Sequence, residues 1–344
     1  MPSYITPSAA NFVVGTGINT PPVDLITTMN AVTPNTILPV IADQWSQPSE
    51  LLSWLTKDGP YFRRAPQLIY GLAVAEDPAG GSYSGAQLLQ PAPVDNIQPA
   101  TQVWSAMRQS LALPMLDVIL NHGVEGAIDL VTEKIMIQNS SMLQKMSRGL
   151  FGVAPNNTTL DVTNVDQWFG QTNNVVAGID RSTAANAFWN PQTPINVGGA
   201  LTATVLNTGY QTIVNAFDRP DTVVMEPLSY NDLVGPYFTT SLTRFIDKFA
   251  DEEVVQIGIR HRICFNTCMV IEDRNVPTTG TNFPKAYMFT SRYFKLAFHP
   301  DDYFTMDPWI QPSGQRVIAT TLYAIWQAVC FKPSTGIAYT NLSH

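Results

Sequence analysis

Residues 124–148, VEGAIDLVTEKIMIQNSSMLQKMSR, constrain the fold of this chain more than any other stretch. Val124, Ile128, Val131, Ile135, Met142 and Met146 recur at three-, four- or seven-residue steps, interrupted only at Gln138-Asn139, so one face of a helix is apolar. Asn121 is placed to cap the start and Gly149 the end. Glu125, Asp129 and Glu133 fall early and Lys145 and Arg148 late, each sign matching the helix macrodipole. At 1.5 Å per residue such a helix runs roughly 37 Å, more than twice the usual length, and a chain that builds it is building something elongated.

A chain of 344 residues has room for two or three domains. Only 13% of it is charged, where an ordinary soluble domain has about 25%, while the hydrophobic fraction of 45% is ordinary. Thr, Asn, Gln, Ser and Pro take the place of charge, and they hydrogen-bond to a neighbour without the desolvation penalty of a buried Lys or Glu. This composition fits a subunit pressed against other chains, and it equally fits a secreted protein with a polar surface. The net charge of −8 argues against a nucleic-acid clamp, whose domains are usually basic. Three cysteines without framework spacing point to reduced thiols. With no basic n-region at the start and no run of about 20 apolar residues, the expectation is a chain made in the cytosol that has no membrane partner.

Residues 1–44 carry only Asp24 and Asp43 as charges, and six prolines are spread among Phe12, Leu25, Ile37, Leu38 and Ile41. That spacing defeats a long helix, and the apolar content is too high for a solvated tail, so an arm laid on another surface is expected. Residues 50–57 read as a short amphipathic segment, and 65–75 and 98–120 as the strands of a long hairpin whose far end is the turn-rich 76–82. Pro114 demands a bulge or an edge. Beyond the long helix, 202–217 and 229–237 read as helices and 222–225, 254–259 and 268–271 as strands of a second domain. Strands follow at 286–290 and 293–298. Residues 316–331 then form one β-prone run that reaches about 50 Å at about 3.3 Å per residue.

No chemistry rises from this pattern. Gly81-Ser82-Tyr83-Ser84-Gly85 lacks the serine a nucleophile elbow needs at its third position, where Tyr83 stands. His122, His261, His299 and His344 each read as turn, strand or terminal residues. His261, Cys264 and Cys268 suggest a metal at first, but within one strand the two cysteines lie roughly 13 Å apart, too far to chelate without a turn between them, so buried thiols are the expectation. After Val223 to Met225 the chain has Glu226-Pro227 where a phosphate cradle needs glycines. Asp251-Glu252-Glu253, Asp301-Asp302 and the stripe Glu125, Asp129, Glu133 read as solvated or inter-subunit carboxylates. No catalytic, cofactor-binding or metal-binding residue is assigned, and no cofactor.

The order of parts carries a resemblance. Trp104 on the returning hairpin strand, Asn121-His122-Gly123 with Ala127-Ile128-Asp129-Leu130, Gly178-Ile179-Asp180-Arg181 with Phe188-Trp189, and 285–290 leading to 294–300 are similar to one branch of the tailed-bacteriophage major capsid proteins. The resemblance implies an α+β fold of the Hong Kong 97-like kind: an N-terminal arm over 1–45, a peripheral segment over 46–61, an extended loop over 62–110, and a peripheral domain over 111–164 with a spine helix at 124–148. An axial domain over 165–284 and a return through the peripheral domain over 285–344 complete it. It implies a shell subunit, not an enzyme, that assembles with itself into hexamers and pentamers of an icosahedral head. The implied partners are a portal, separate scaffolding or decoration proteins, and enclosed double-stranded DNA held by weak contacts, for which Lys134, Lys145 and Arg148 are candidates. It also implies a virion location after synthesis in the host cytoplasm. No Lys occurs between Lys57 and Lys134, so lysine crosslinks from the extended loop are not expected. The chain opens almost at the arm, so a separate scaffold, or none, is expected. The same fold in a cellular nanocompartment is the alternative, and a soluble α/β enzyme is a third reading.

Overall fold

The computed structural model describes residues 49–57, 59–74, 85, 96–114, 116, 130–152, 161–170, 175–216, 218–239, 263–278 and 284–343. The expected arm, the hairpin tip, the first turns of the long helix and the strand at 254–259 lie outside these residues. The described chain begins with α1 (Glu50–Thr56), β1 (Tyr61–Phe62), β2 (Leu68–Ala73), β3 (Ile97–Gln102) and β4 (Ser105–Pro114), then α2 (Leu130–Leu150) and α3 (Val165–Phe169). Short strands β5 (Val175–Val176), β6 (Ile179–Asp180) and β7 (Ile195–Asn196) lead to α4 (Ala203–Ala216), β8 (Thr222–Met225) and α5 (Pro227–Thr239). The remainder is β9 (Ile263–Phe265), β10 (Cys268–Glu272), β11 (Ala286–Phe289), β12 (Phe294–Phe298), β13 (Thr305–Met306), β14 (Val317–Cys330) and β15 (Ile337–Thr340).

Two compact units divide the chain. Among the described residues the smaller comprises 112–114, 116, 130–137 and 309–319, where Ile310 and Ala319 exchange backbone hydrogen bonds of 2.9 and 2.8 Å. The larger comprises the rest and contains two large buried cores.

Those cores lie on opposite faces of a six-stranded sheet in the order β7-β15-β11-β8-β10-β9. Side chains alternate between the faces of a strand, and here neither face is open. Val224, Met269, Ile271, Tyr287, Phe289 and Ala338 enter one core, while Val223, Met225, Cys268, Val270, Ala286, Met288, Ile337 and Tyr339 enter the other. This is why the four central segments read as unbroken apolar runs. Leu206 and Ile213 of α4 with Leu233 and Val234 of α5 cover the second core. The first is covered by α1, α3 and α2 through Leu51, Trp168, Phe169, Met142 and Met146. β11 and β15 hydrogen-bond into this sheet although their residues fall beyond 284, so its strands come from both sides of the boundary expected between axial and returning segments.

A second sheet runs β1-β12-β14-β13, with β4 also on β14. β14 has 14 residues, about 46 Å at about 3.3 Å per residue, and is antiparallel to β12 from Phe294↔Cys330 to Phe298↔Trp326. Pro114 ends β4 as its last residue, where its missing N–H costs no interior ladder bond. β2 and β3 form an antiparallel ribbon, from Leu68↔Gln102 to Ala73↔Ile97, but the returning strand expected over 98–120 is broken: only β3 stays in the hairpin, and β4 leaves it to pair with β14.

The long helix differs from expectation at its end. Gly149 does not cap it; α2 continues through Leu150, and Gly152 adopts φ +80°, its N–H bonded to the Gly149 carbonyl at 3.0 Å. Gly149 instead faces the interior, where a Cβ would make ordinary contacts with Val162 at 3.4 Å and Trp326 at 3.9 Å. Gln138, which breaks the apolar stripe, is nonetheless buried, because its amide donates to the Gln109 carbonyl of β4.

At Gly209 of α4 the approach is closer still. A Cβ there would fall 2.1 Å from the Tyr339 hydroxyl, which donates to the Leu206 carbonyl at 3.2 Å. Helix preference alone favours Gly209→Ala by up to about 1 kcal/mol. Overpacking against a fully buried tyrosine costs about 1–3 kcal/mol and adds the loss of that hydrogen bond. Gly209→Ala is therefore expected to lower the urea midpoint rather than raise it.

Candidate functional site

The residues that suggested chemistry are dispersed or structural. Gly81 to Ser84, the carboxylates 251–253, and His122, His261 and His344 lie outside the described residues. His299 is the N-cap of a 3-10 turn, its Nδ1 accepting from the Asp301 N–H at 3.3 Å and its ring set edge-on to Trp104. Asp301 pairs with Arg64 on the surface. Cys264 and Cys268 do not share one strand: β9 and β10 are separated by a turn at Asn266-Thr267, and Cys264 is paired with Met269, Cys268 with Phe265. That register sends the two thiols to opposite faces, and only Cys268 is buried, Cys264 being partly exposed, so the expectation of buried thiols holds for one of the two. Burial pushes the Cys268 thiol up to about 12, and its Sγ lies 3.2 Å from the Pro220 carbonyl. Among the described residues no group of three His, Cys, Asp or Glu side chains converges as a metal site.

Where a phosphate cradle would sit, between β8 and α5, the buried Glu226 side chain fills the turn and receives the Ser229 hydroxyl at 3.3 Å. A buried carboxylate there repels an anion. Lys145, a candidate for DNA contact, donates to Gln109 Oε1 at 2.6 Å, while Arg148 is exposed.

Buried polar groups instead tie elements together. Gln327 accepts from the Thr163 and Ala328 N–H groups at 2.8 and 3.0 Å and donates to the Val103 carbonyl at 2.8 Å. Gln102 donates to Thr163 Oγ1 and the Ala328 carbonyl at 2.7 and 3.0 Å, so the two amides fix the base of the β2–β3 ribbon on β14. Arg181, 7% exposed, donates to the carbonyls of Gln167 and Trp168, the last turn of α3, and burial brings its guanidinium down to about 10. Asp273, also buried, accepts from the Ser49 hydroxyl at 2.9 Å, the Leu51 N–H at 3.2 Å and both the N–H and amide of Asn275. Lys285 meets Asp166 at 2.7 Å, with the Tyr287 hydroxyl donating to the same carboxylate oxygen at 3.1 Å.

The surface that stands out is apolar. On the β2–β3 ribbon, Leu68, Tyr70, Leu72, Ala100 and Gln102 face inward, and the opposite face carries Ile69, Gly71, Ala73, Ile97, Pro99 and Thr101. Ile69 is 66% and Ile97 68% exposed, with Val103 as open at the ribbon's base. A two-stranded ribbon with apolar residues on both faces has only one of them covered within this chain. Tyr303, on the loop after β12, and Met306 of β13 are also exposed. Sequence reading saw a protruding hairpin but not this second face; the sign of it is that both phases of 68–73 are apolar. It missed the Ser49 cap as well, although serine directly before an amphipathic run marks a helix start.

No protein-family model and no curated protein matches the chain. Solved structures do. The capsid asymmetric unit of cyanophage A-1(L) aligns with a TM-score of 0.65 at 13% identity, over 89% of this chain and 96% of that one. The capsid of a native GTA particle aligns with 0.59 at 9% identity, over 93% and 98%. The holo-SrpI encapsulin complex from Synechococcus elongatus PCC 7942 aligns with 0.54 at 11% identity, over 90% and 92%. The chain therefore has the fold of these shells, the α+β Hong Kong 97-like fold, along nearly its whole length.

The Lys285–Asp166 pair gives a direct test of how this interior is held. Lys285→Met removes the cation facing a carboxylate that stays enclosed, which costs about 3–5 kcal/mol, whereas Lys285→Met with Asp166→Leu removes the unpaired charge and restores part of that loss, the Tyr287 hydroxyl losing its acceptor. Chemical denaturation of the two variants measures the difference.

Proposed function

We propose that this chain is the major capsid protein of a tailed double-stranded DNA bacteriophage, assembling into the hexamers and pentamers of an icosahedral head. The observation that carries the reading is the match to phage and GTA capsid subunits, over 88–93% of this chain. The apolar outer face of the β2–β3 ribbon supports it, since a shell subunit needs faces complementary to its own copies. Weak contacts repeated around a closed shell sum without any one of them being strong.

In this reading residues 1–45 are the arm, 46–61 a peripheral segment, 62–110 the extended loop, and 111–164 the peripheral domain with α2 as its spine. Residues 165–284 are the axial domain, whose sheet β11 and β15 complete, and the rest of 285–344 returns through the peripheral domain. The enclosed DNA meets the shell through weak contacts, with Arg148 the exposed candidate. Portal, scaffolding and decoration proteins are its further partners, and the chain is made in the host cytoplasm before it enters the virion. The encapsulin match favours one second reading, a cellular nanocompartment shell around a protein cargo.

Electron microscopy of the purified full chain tests the proposal: closed shells or hexameric tiles support it, and dispersed small oligomers overturn it. Nuclease-protected DNA in particles isolated from the native source supports the phage head, and a protein cargo without DNA supports the nanocompartment. Placing a charge at both exposed isoleucines, Ile69→Glu with Ile97→Glu, is expected to abolish assembly by size-exclusion chromatography while leaving the circular dichroism spectrum unchanged, because neither side chain belongs to a core.

A further inference from the structure

Three parts of the larger unit line a groove of about 410 Å³. Leu52 of α1, Leu143 and Met146 of α2, and Phe298 at the end of β12 with Tyr303 and Phe304 after it supply the apolar surface. Leu52, Met146 and Phe298 are buried, whereas Leu143 and Tyr303 are each 39% exposed, so the groove has a finished floor and open rims. Among the described residues every side chain that lines it is uncharged. A charge entering here loses its hydration without gaining a partner, so the groove fits an apolar, uncharged segment and neither a nucleic acid nor an ionic peptide. An apolar cavity of about 150 Å³ holds a benzene-sized group, and the volume here therefore takes roughly two or three aliphatic side chains.

We infer that residues 37–41 of the same chain occupy this groove and cover Leu143 and Tyr303, so that residues 42–48 fold back beside α1 and residues 1–36 leave the subunit from a fixed point. The described chain begins at the groove itself, since Ser49, the cap of α1, is one of its lining residues. Residues 1–48 precede it, with Asp24 and Asp43 as their only charges. Ile37-Leu38-Pro39-Val40-Ile41 is their apolar run nearest to Ser49, and the seven residues 42–48 that separate the two reach at most about 25 Å when extended, enough to turn back along a groove that starts at Ser49. Pro39 fixes its own φ and holds Leu38 to extended conformations, so the run gives up less freedom on docking than an ordinary tail does. So short a tether also keeps the run at millimolar effective concentration, more than neighbouring copies supply in dilute solution. The anchor concerns one chain alone and goes beyond the shell reading without depending on it.

Cysteine pairing in the full chain tests the anchor, with the partly exposed native thiol removed by Cys264→Ser. Leu143→Cys is combined in turn with Ile37→Cys, Leu38→Cys, Val40→Cys and Ile41→Cys, because a disulfide forms only where the two Cα atoms come within about 7 Å. After mild oxidation, denaturing electrophoresis without reductant is expected to show a band ahead of the monomer for at least one pair and for none of the single variants, and peptide mapping locates the link. Maleimide labelling gives a second measurement. In the Leu143→Cys chain, adding Leu38→Asp with Val40→Asp is expected to speed labelling about tenfold, since a docked segment must open before the thiol is reached, while Thr204→Cys, exposed on α4, labels equally with and without the two aspartates. A crosslinked dimer in place of the fast band gives the groove to a neighbouring copy and overturns the anchor. No link from any pair, or a labelling rate that the aspartates leave unchanged, overturns it as well.

Discussion

A sheet buried on both faces leaves no strand free to slip. In the six-stranded sheet a shift of one residue would exchange Val223 and Met225 for Val224, and Ala286 and Met288 for Tyr287 and Phe289, between two cores of different shape. Large side chains supply the mismatch: Tyr287 and Phe289 stand on one side, Ala286 and Met288 on the other. With the register pinned, the positions of α1, α3 and α2 on one face and α4 and α5 on the other follow.

The polar residues inside work within the same constraint. Most buried links between elements use amides and hydroxyls, such as Gln102, Gln327 and Gln138, which cost less to desolvate than charges and still satisfy backbone groups where strands and loops meet. Charges are spent sparingly, and each has a defined partner or end group to hold: Arg181 on the carbonyls ending α3, Asp273 on the N–H groups opening α1, Lys285 on Asp166. A low charged fraction thus describes the interior joints as much as the outer surface.

Periodicity made the long elements legible. The strand at 222–225 is read from sequence with the limits it has in the structure, and α4, α5, β10, β11, β12 and β14 within one or two residues, because each carries a run that only one geometry buries. What local pattern does not carry is which residue a distant segment touches. Gly149 looks like a cap because helices often end at glycine, yet it faces Trp326 of β14, some 177 positions away in sequence, and the left-handed residue is Gly152. Gln138 looks like a flaw in the apolar stripe until Gln109 is beside it. The membership of β11 and β15 in the second domain's sheet is likewise a pairing fact, invisible to propensity. The outer face of the ribbon was missed because sequence reading assigns one buried side per strand and stops there.

The same distinction explains how chains about 8–13% identical keep one fold over nine-tenths of their length. What the fold requires is volume and alternation at the sheet, apolar helix faces to cover it, and satisfied polar joints; many residue sets meet those demands. The joints themselves are open to replacement, since an amide clamp, an ion pair and an apolar contact of equal size hold two elements nearly as well. Residues at such joints can therefore change without moving the elements they hold.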